Sequence, residues 1–155
     1  MKQNLPVLWT PEAADVLVDG CRALGIRLDD HQRDSFRKLA ELLIDANRRM
    51  NLTSITEPRA IASKHFVDSL TIVRVAELDP SLHLVDLGTG AGFPGLPLAI
   101  VSGARVTFID ATKKKLNFVE ATSQALSLDR THFLWARSED VVTRHPTLNA
   151  DLVVV

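Results

Sequence analysis

From Leu84 to Gly95 the chain reads Leu84-Val85-Asp86-Leu87-Gly88-Thr89-Gly90-Ala91-Gly92-Phe93-Pro94-Gly95, an apolar run, then an acid, then closely spaced glycines. A backbone passing from a buried strand into a helix must turn sharply, and a ligand lying on that turn needs main chain without Cβ atoms. Glycine meets both needs. The following Leu96-Pro97-Leu98-Ala99-Ile100 reads as the opening of an apolar helix, where proline is tolerated because the first amides have no intrahelical partner. Strand, glycine turn and helix is the expected local structure.

The glycines fit two spacings that imply different chemistry. Gly90, Gly92 and Gly95 match G-x-G-x-x-G, the loop in which a helix N-terminus holds the pyrophosphate of a dinucleotide. Gly88, Gly90 and Gly92 match D-x-G-x-G-x-G, with Asp86 at the strand end. An acid there disfavours a diphosphate and suits a cationic or amine-bearing cofactor, of which S-adenosylmethionine is one. A tight turn with no ligand is a third reading of the same residues. Arg105–Asp110 reads as a second buried strand ending in a carboxylate, about 20 residues past the glycines, where such folds place the acid that accepts hydrogen bonds from ribose hydroxyls. Asp110 is therefore a second candidate, with Ala111 and Thr112 on the same loop near where an adenine ring would lie. The run Lys113-Lys114-Lys115 reads as a solvated helix face.

These residues need a scaffold, and the apolar pattern supplies one. From about residue 81 strand and helix alternate: strand 82–87, helix 95–102, strand 105–110, helix 113–127, strand 132–135, a short helix near 139–144 and strand 151–155. That alternation predicts an α/β fold with a parallel sheet and right-handed crossovers, in the order 3-2-1-4, with its ligand at the carboxyl ends of the strands. Asp151-Leu152-Val153-Val154-Val155 reads as a strand with no loop after it and one sheet edge left open, as in a fold truncated after the fourth strand.

Residues from about 10 to 78 read as helices instead. Thr10-Pro11-Glu12 starts one over 11–24, with Ala14, Leu17, Cys21 and Leu24 at steps of three and four and Gly25 closing it. Phe36, Leu39, Leu43, Ala46 and Met50 predict a second over about 30–48. A third begins at Thr56 or Pro58, with Ala62, Phe66, Leu70 and Val73 on its core face and Ile61, His65, Asp68 and Ile72 in a stripe beside it. On a regular helix Lys64 and Asp68 form an i, i+4 pair.

Composition narrows the classes. The chain has 155 residues, 46% of them hydrophobic, a formal net charge of −1 and a single cysteine, Cys21. It can bury a core, forms no internal disulfide, and shows neither a Cys/His cluster at metal-ligand spacing nor an apolar run of membrane-spanning length. Met1-Lys2-Gln3-Asn4-Leu5-Pro6 lacks the apolar centre of a signal peptide, so a cytoplasmic location is expected.

Several of these motifs together resemble a known family. Asn51-Leu52-Thr53, Lys64-His65-Phe66-Val67-Asp68-Ser69, the Val85–Gly95 loop and Ile109-Asp110 are similar to the bacterial small-subunit ribosomal RNA guanine-N7 methyltransferase family RsmG, also called glucose-inhibited division protein B. The resemblance runs from about Glu41 to Val155. It implies a class I, Rossmann-like, S-adenosylmethionine-dependent methyltransferase sheet over 79–155 behind an RNA-facing helical extension over 1–78. The substrate it implies is N7 of one guanine in the 16S ribosomal RNA of the small subunit.

Carried over by motif, the cofactor contacts of that family fall on Gly88, Phe93, Asp110, Ala111 and Thr112, and after the third strand on Ser138 and Glu139. An arginine that the family carries just past the fourth strand has no counterpart here. Asp86 and Gly90 join the cofactor set from the loop's own chemistry. Lys64 and His65 become candidates for a phosphate or a flipped-out base, although His65 could equally form a local structural pair with Asp68. Guanine N7 carries a lone pair and no proton, so no general base is needed, and no acid or base is assigned.

Between residues 31 and 64, Arg33, Arg37, Lys38, Arg48, Arg49, Arg59 and Lys64 face Asp34, Glu41, Asp45 and Glu57, a modest basic surplus. With a net charge of −1, a shaped ribosomal particle suits this chain better than free RNA. Two other classes stay open at this point. One is an NAD-binding oxidoreductase domain using the second glycine spacing, which Asp86 and the absence of tyrosine disfavour; the other is an inactive binding fragment.

Overall fold

The computed structural model describes residues 8–155, so the reading of Met1–Pro6 lies outside the described residues. Helix α1 spans Pro11–Ala23; the Thr10 hydroxyl accepts the Ala13 amide at 3.1 Å and proline takes the first turn. Ala13, Leu17 and Cys21 face the core, and burial pushes the Cys21 thiol up to about 11, which suits a packing group. Helix α2, Asp30–Met50, opens with a reciprocal capping box between Asp29 and Gln32. The Gln32 side-chain amide also donates to the carbonyls of Ile100 and Val101, each at 3.4 Å, tying α2 to the sheet domain.

The third helical segment departs from the regular helix expected of it. Glu57 caps α3, Pro58–Ala60, by accepting the Arg59 and Ala60 amides. The chain then widens into a π-helix over Ile61–Val67, returns to α-helix in α4, Asp68–Leu70, and tightens to a 3-10 turn over Thr71–Arg74. A wider turn changes which residues share a face. Ile61, expected beside the core, is fully buried along with Ala62, Phe66 and Leu70, while Val73 is only half-buried. Among the described residues, no ion pair joins Lys64 to Asp68. Gly20 lets the π-helix approach α1 closely, since a Cβ there would sit 2.5 Å from a Val67 methyl.

The alternating half folds as its pattern requires. Strands β1 (His83–Leu87), β2 (Arg105–Asp110), β3 (Thr131–Trp135) and β4 (Leu152–Val154) form one parallel sheet in the order β3-β2-β1-β4. Helices α5 (Gly95–Ser102) and α6 (Lys113–Ala125) are the first two crossovers. The short helix expected near 139–144 is a 3-10 turn, Ser138–Asp140, followed by α7, Val141–Arg144.

One apolar core runs from Leu17, Phe36 and Phe66 of the helical part to Leu84, Leu96 and Phe108 of the sheet. Val85, Ile109 and Ala136 form a smaller cluster on the opposite sheet face. The basic surplus of α2 is partly consumed locally: Arg37 pairs with Asp34 and Glu41, Lys38 with Asp34, and Arg49 with Asp45. Among the described residues, no helix is long and apolar enough to cross a membrane, and no group of three His, Cys, Asp or Glu side chains could hold a metal.

Candidate functional site

The carboxyl ends of β1 and β2 meet at two buried acids. Asp86, 1% exposed, uses Oδ2 to accept the Thr89 hydroxyl at 2.6 Å and the Gly95 amide at 2.8 Å. Its Oδ1 is buried with no partner among the described residues. Burial pushes its carboxyl above the usual range of 3.8, only partly offset by these two hydrogen bonds, and nearby Asp110 adds to the rise. Asp86 therefore occupies the N-terminus of α5 itself, where a dinucleotide would need its pyrophosphate.

Asp110 secures the loop. Its Oδ2 accepts the Gly90 amide at 2.8 Å and its Oδ1 accepts the Thr112 amide at 2.7 Å, leaving each oxygen a further lone pair. The Gly88 and Thr89 amides both donate to the Ile109 carbonyl, so the glycine turn is pinned across the end of β2.

The glycines divide by what a side chain would meet. Gly88 and Gly90 adopt φ values of +75° and +58°, and a Cβ on either would enter open space. At Gly92 a Cβ would land in Leu96, and at Gly95 it would land on the Phe108 ring and 2.6 Å from Asp86 Oδ2. The first pair faces open space; the second lets α5 pack on the sheet. Two acids at the strand ends, one with a buried oxygen unpartnered among the described residues, make a locally anionic setting that fits a cation-bearing cofactor.

The other expected residues lie around this centre at varying distances. Ala111 and Thr112 are exposed on the loop after β2, and the Ala111 carbonyl accepts the Trp135 indole N–H at 3.0 Å. Trp135 was not anticipated; it is 59% exposed at the end of β3, with the Lys113 ammonium 4.8 Å from its ring centre. Ser138 and Glu139 sit exposed in the 3-10 turn after β3, where Glu139 lies 3.9 Å from Arg137. A recess of about 360 Å³ lined by Ala111, Trp135, Ala136, Arg137, Asp140 and Arg144 separates that turn from the β2 loop.

Lys64 and His65 approach from the π-helix. The His65 ring stacks on Phe93, centroids 4.5 Å apart and planes 11° from parallel, while its Nε2 is 2.9 Å from the Thr53 hydroxyl. Its hydrogen-bond partner is thus Thr53, not Asp68, although the Asp68 charge acts on it. Burial is the larger influence and holds its pKa below 6.5. Lys64 is exposed and lines, with His65, Asp68, Arg74 and Phe93, a cleft of about 660 Å³ between this segment and the glycine loop. Thr53 and Thr89 were not singled out from the sequence; Thr89 stands three residues after Asp86, a spacing at which a hydroxyl can reach back to the carboxylate.

Comparison with known proteins gives the chain a family. The family model described as GidB, rRNA small subunit methyltransferase G, covers residues 32–155. A protein of Pelotomaculum thermopropionicum named Ribosomal RNA small subunit methyltransferase G is 40% identical over 129 residues, 83% of this chain and 54% of that protein. Proteins of the same name from Deinococcus deserti and Streptococcus sanguinis are 44% identical over 137 residues and 43% over 118, covering 88% and 75% of this chain and 55% and 50% of theirs. The chain spans about half the length of these curated relatives. With Asp86 seated on the α5 N-terminus and the whole glycine loop inside the matched region, the chain belongs to the rRNA small subunit methyltransferase G family.

Proposed function

We propose that this chain carries the cofactor site of a methyltransferase that moves a methyl group from S-adenosylmethionine to N7 of a guanine in 16S ribosomal RNA of the small subunit. The observation that carries the reading is a pair of acids at the carboxyl ends of β1 and β2, holding the Gly95 and Gly90 amides, in a loop where Gly88 and Gly90 face open space. When bound, the cofactor supplies an electrophilic methyl group on a positively charged sulfur. Asp86 contributes negative charge near its amino acid part, and the free lone pairs of Asp110 accept the ribose hydroxyls. Gly88 and Gly90 give access to bare main chain, and Phe93, held by His65, walls the side facing the RNA. Ala111, Thr112, Ser138 and Glu139 border the adenine.

Because the attacking nitrogen has no proton to lose, these residues need only bind, orient and exclude water. Lys64 meets the RNA backbone, and the helical region over 1–78 faces the RNA. A ribosomal substrate puts the reaction in the cytoplasm.

Calorimetry with S-adenosylhomocysteine and with NADH, side by side, tests the cofactor. Binding of the first alone is expected, and binding of NADH alone would overturn the reading. Incubation with labelled S-adenosylmethionine and either assembled small subunits or deproteinised RNA, followed by nucleoside mass spectrometry, tests the product. 7-Methylguanosine, formed faster on the particle, is expected.

A further inference from the structure

The cleft beside Phe93 has a composition that neither cofactor binding nor phosphate contact explains. Its about 660 Å³ lies within the range of small-ligand sites, about 300–1,000 Å³. The His65–Phe93 stack gives it an aromatic wall, and Lys64 and Arg74 give it cations. Asp68 is the only acidic side chain among its lining residues. Asp68 is exposed, and among the described residues neither an ion pair nor a hydrogen bond engages its carboxylate; its hydrogen bonds are made by the backbone, the N–H donating to the His65 and Ser63 carbonyls and the carbonyl accepting the Thr71 hydroxyl at 2.6 Å. Lys64 and Asp68 stand at the i, i+4 spacing of a regular helix, but Lys64 lies within the π-helix, where the wider turn changes which residues share a face. A free carboxylate is repulsive to RNA phosphates, so a phosphate groove gains nothing from it.

We infer that Asp68 is a specificity-determining residue that reads the Watson–Crick edge of the target guanine, an inference that rests on the guanine-N7 reading above. Guanine presents N1–H and N2–H donors side by side, which the two oxygens of one carboxylate match. Adenine and cytosine place an acceptor where N1–H would be, and uracil offers a single donor. N7 lies on the far side of the purine from that edge, so a base held by Asp68 keeps N7 free to face the glycine loop. Splayed bases in RNA are read in this manner, stacked on an aromatic ring and bonded along an edge. As the N7 lone pair forms its bond to carbon and the carbon–sulfur bond breaks, positive charge moves onto the purine and no proton is transferred. A carboxylate at the N1–H edge then binds the transition state more strongly than the ground state.

The test uses the full natural chain and small-subunit RNA in which the methylated guanosine, located by mass spectrometry, is replaced by inosine, which lacks the N2 amine. The unsubstituted protein is expected to lose about tenfold or more in kcat/KM on inosine, the scale of one hydrogen bond to a charged group. Asp68→Ala should be slow on guanosine, treat the two RNAs alike within about twofold, and keep its affinity for S-adenosylhomocysteine. An inosine penalty equal in parent and variant overturns the role of Asp68 and leaves the methyltransferase reading standing. If the parent makes no N7-methylated purine on either RNA, both fall together.

Discussion

Replacing Gly95 by alanine puts one methyl group where the structure has no room for it. The new Cβ would land on the Phe108 ring and 2.6 Å from Asp86 Oδ2, the same oxygen that accepts the Gly95 amide at 2.8 Å. Neither neighbour can move freely, because Phe108 is fully buried and stacked on Phe133, and Asp86 is 1% exposed. Overpacking of this kind costs about 1–3 kcal/mol, and loosening a hydrogen bond to a buried acid costs about 1.5–3 kcal/mol more. Against a total stability of about 5–15 kcal/mol the loss is large, and for a domain of this size it lowers Tm by about 5–20 °C. Thermal melts followed by far-UV circular dichroism, with urea titration as a second probe, measure it. Gly88→Ala is the control: its methyl enters open space, and the left-handed φ of +75° costs about 1–2 kcal/mol. A Gly95→Ala melt within about 2 °C of the parent, or a greater loss for Gly88→Ala, would refute the division of the glycines drawn above.

Three further outcomes are expected. Gly88→Val should lower S-adenosylhomocysteine affinity more than tenfold while the fold survives with a Tm about 2–8 °C lower, read by calorimetry and melting. Asp86 has a carboxyl raised above 3.8 in the fold, so its contribution to stability is present in acid and is lost as pH rises through the folded pKa, at up to about 1.4 kcal/mol per pH unit. Urea titrations across that range should show this loss in the parent and not in Asp86→Asn. His65→Ala should cost about 1–3 kcal/mol by removing the Phe93 stack and the Thr53 bond, and should weaken cofactor binding by a few fold through a freed Phe93; unchanged melting and unchanged affinity would contradict this.

The strand-helix alternation was legible because each element carries its own signal. Val106, Phe108 and Ile109 form an apolar run ending at a loop, and in the helical half Thr10-Pro11 is a helix start with a mechanism in its side chains, whereas the Asp29–Gln32 capping box was not read from the sequence. The expected order of the sheet, 3-2-1-4, is that of a doubly wound fold, and the structure has it. The π-helix was not legible, since Ile61–Val67 has the residues of an ordinary amphipathic helix, and its close packing of Val67 on Gly20 is a tertiary contact that the local pattern does not carry. The absent Lys64–Asp68 pair and the burial of Ile61 both lie in or beside that widened segment. In the glycine loop the residues that matter were visible, but their separate duties were not. The positions of Leu96 and Phe108, and for Gly95 its helical backbone, distinguish Gly92 and Gly95 from Gly88 and Gly90.

Asp86 explains why the loop reads as a binding device rather than as a turn. A strand-to-helix turn needs an acceptor for the first amides of α5, and a neutral serine or asparagine would supply one without burying a charge. Asp86 instead leaves one oxygen unpartnered, beside a second acid, in surroundings that push its carboxyl upward. Such an arrangement weakens the isolated fold, and a group selected for stability alone would not keep it. A cation bound beside these two acids would reverse the sign, since the orphaned oxygen and the Asp110 charge then both favour the bound state. The site is anionic where a dinucleotide would need it cationic, and that polarity supports the proposed cofactor class more directly than the glycine spacing does.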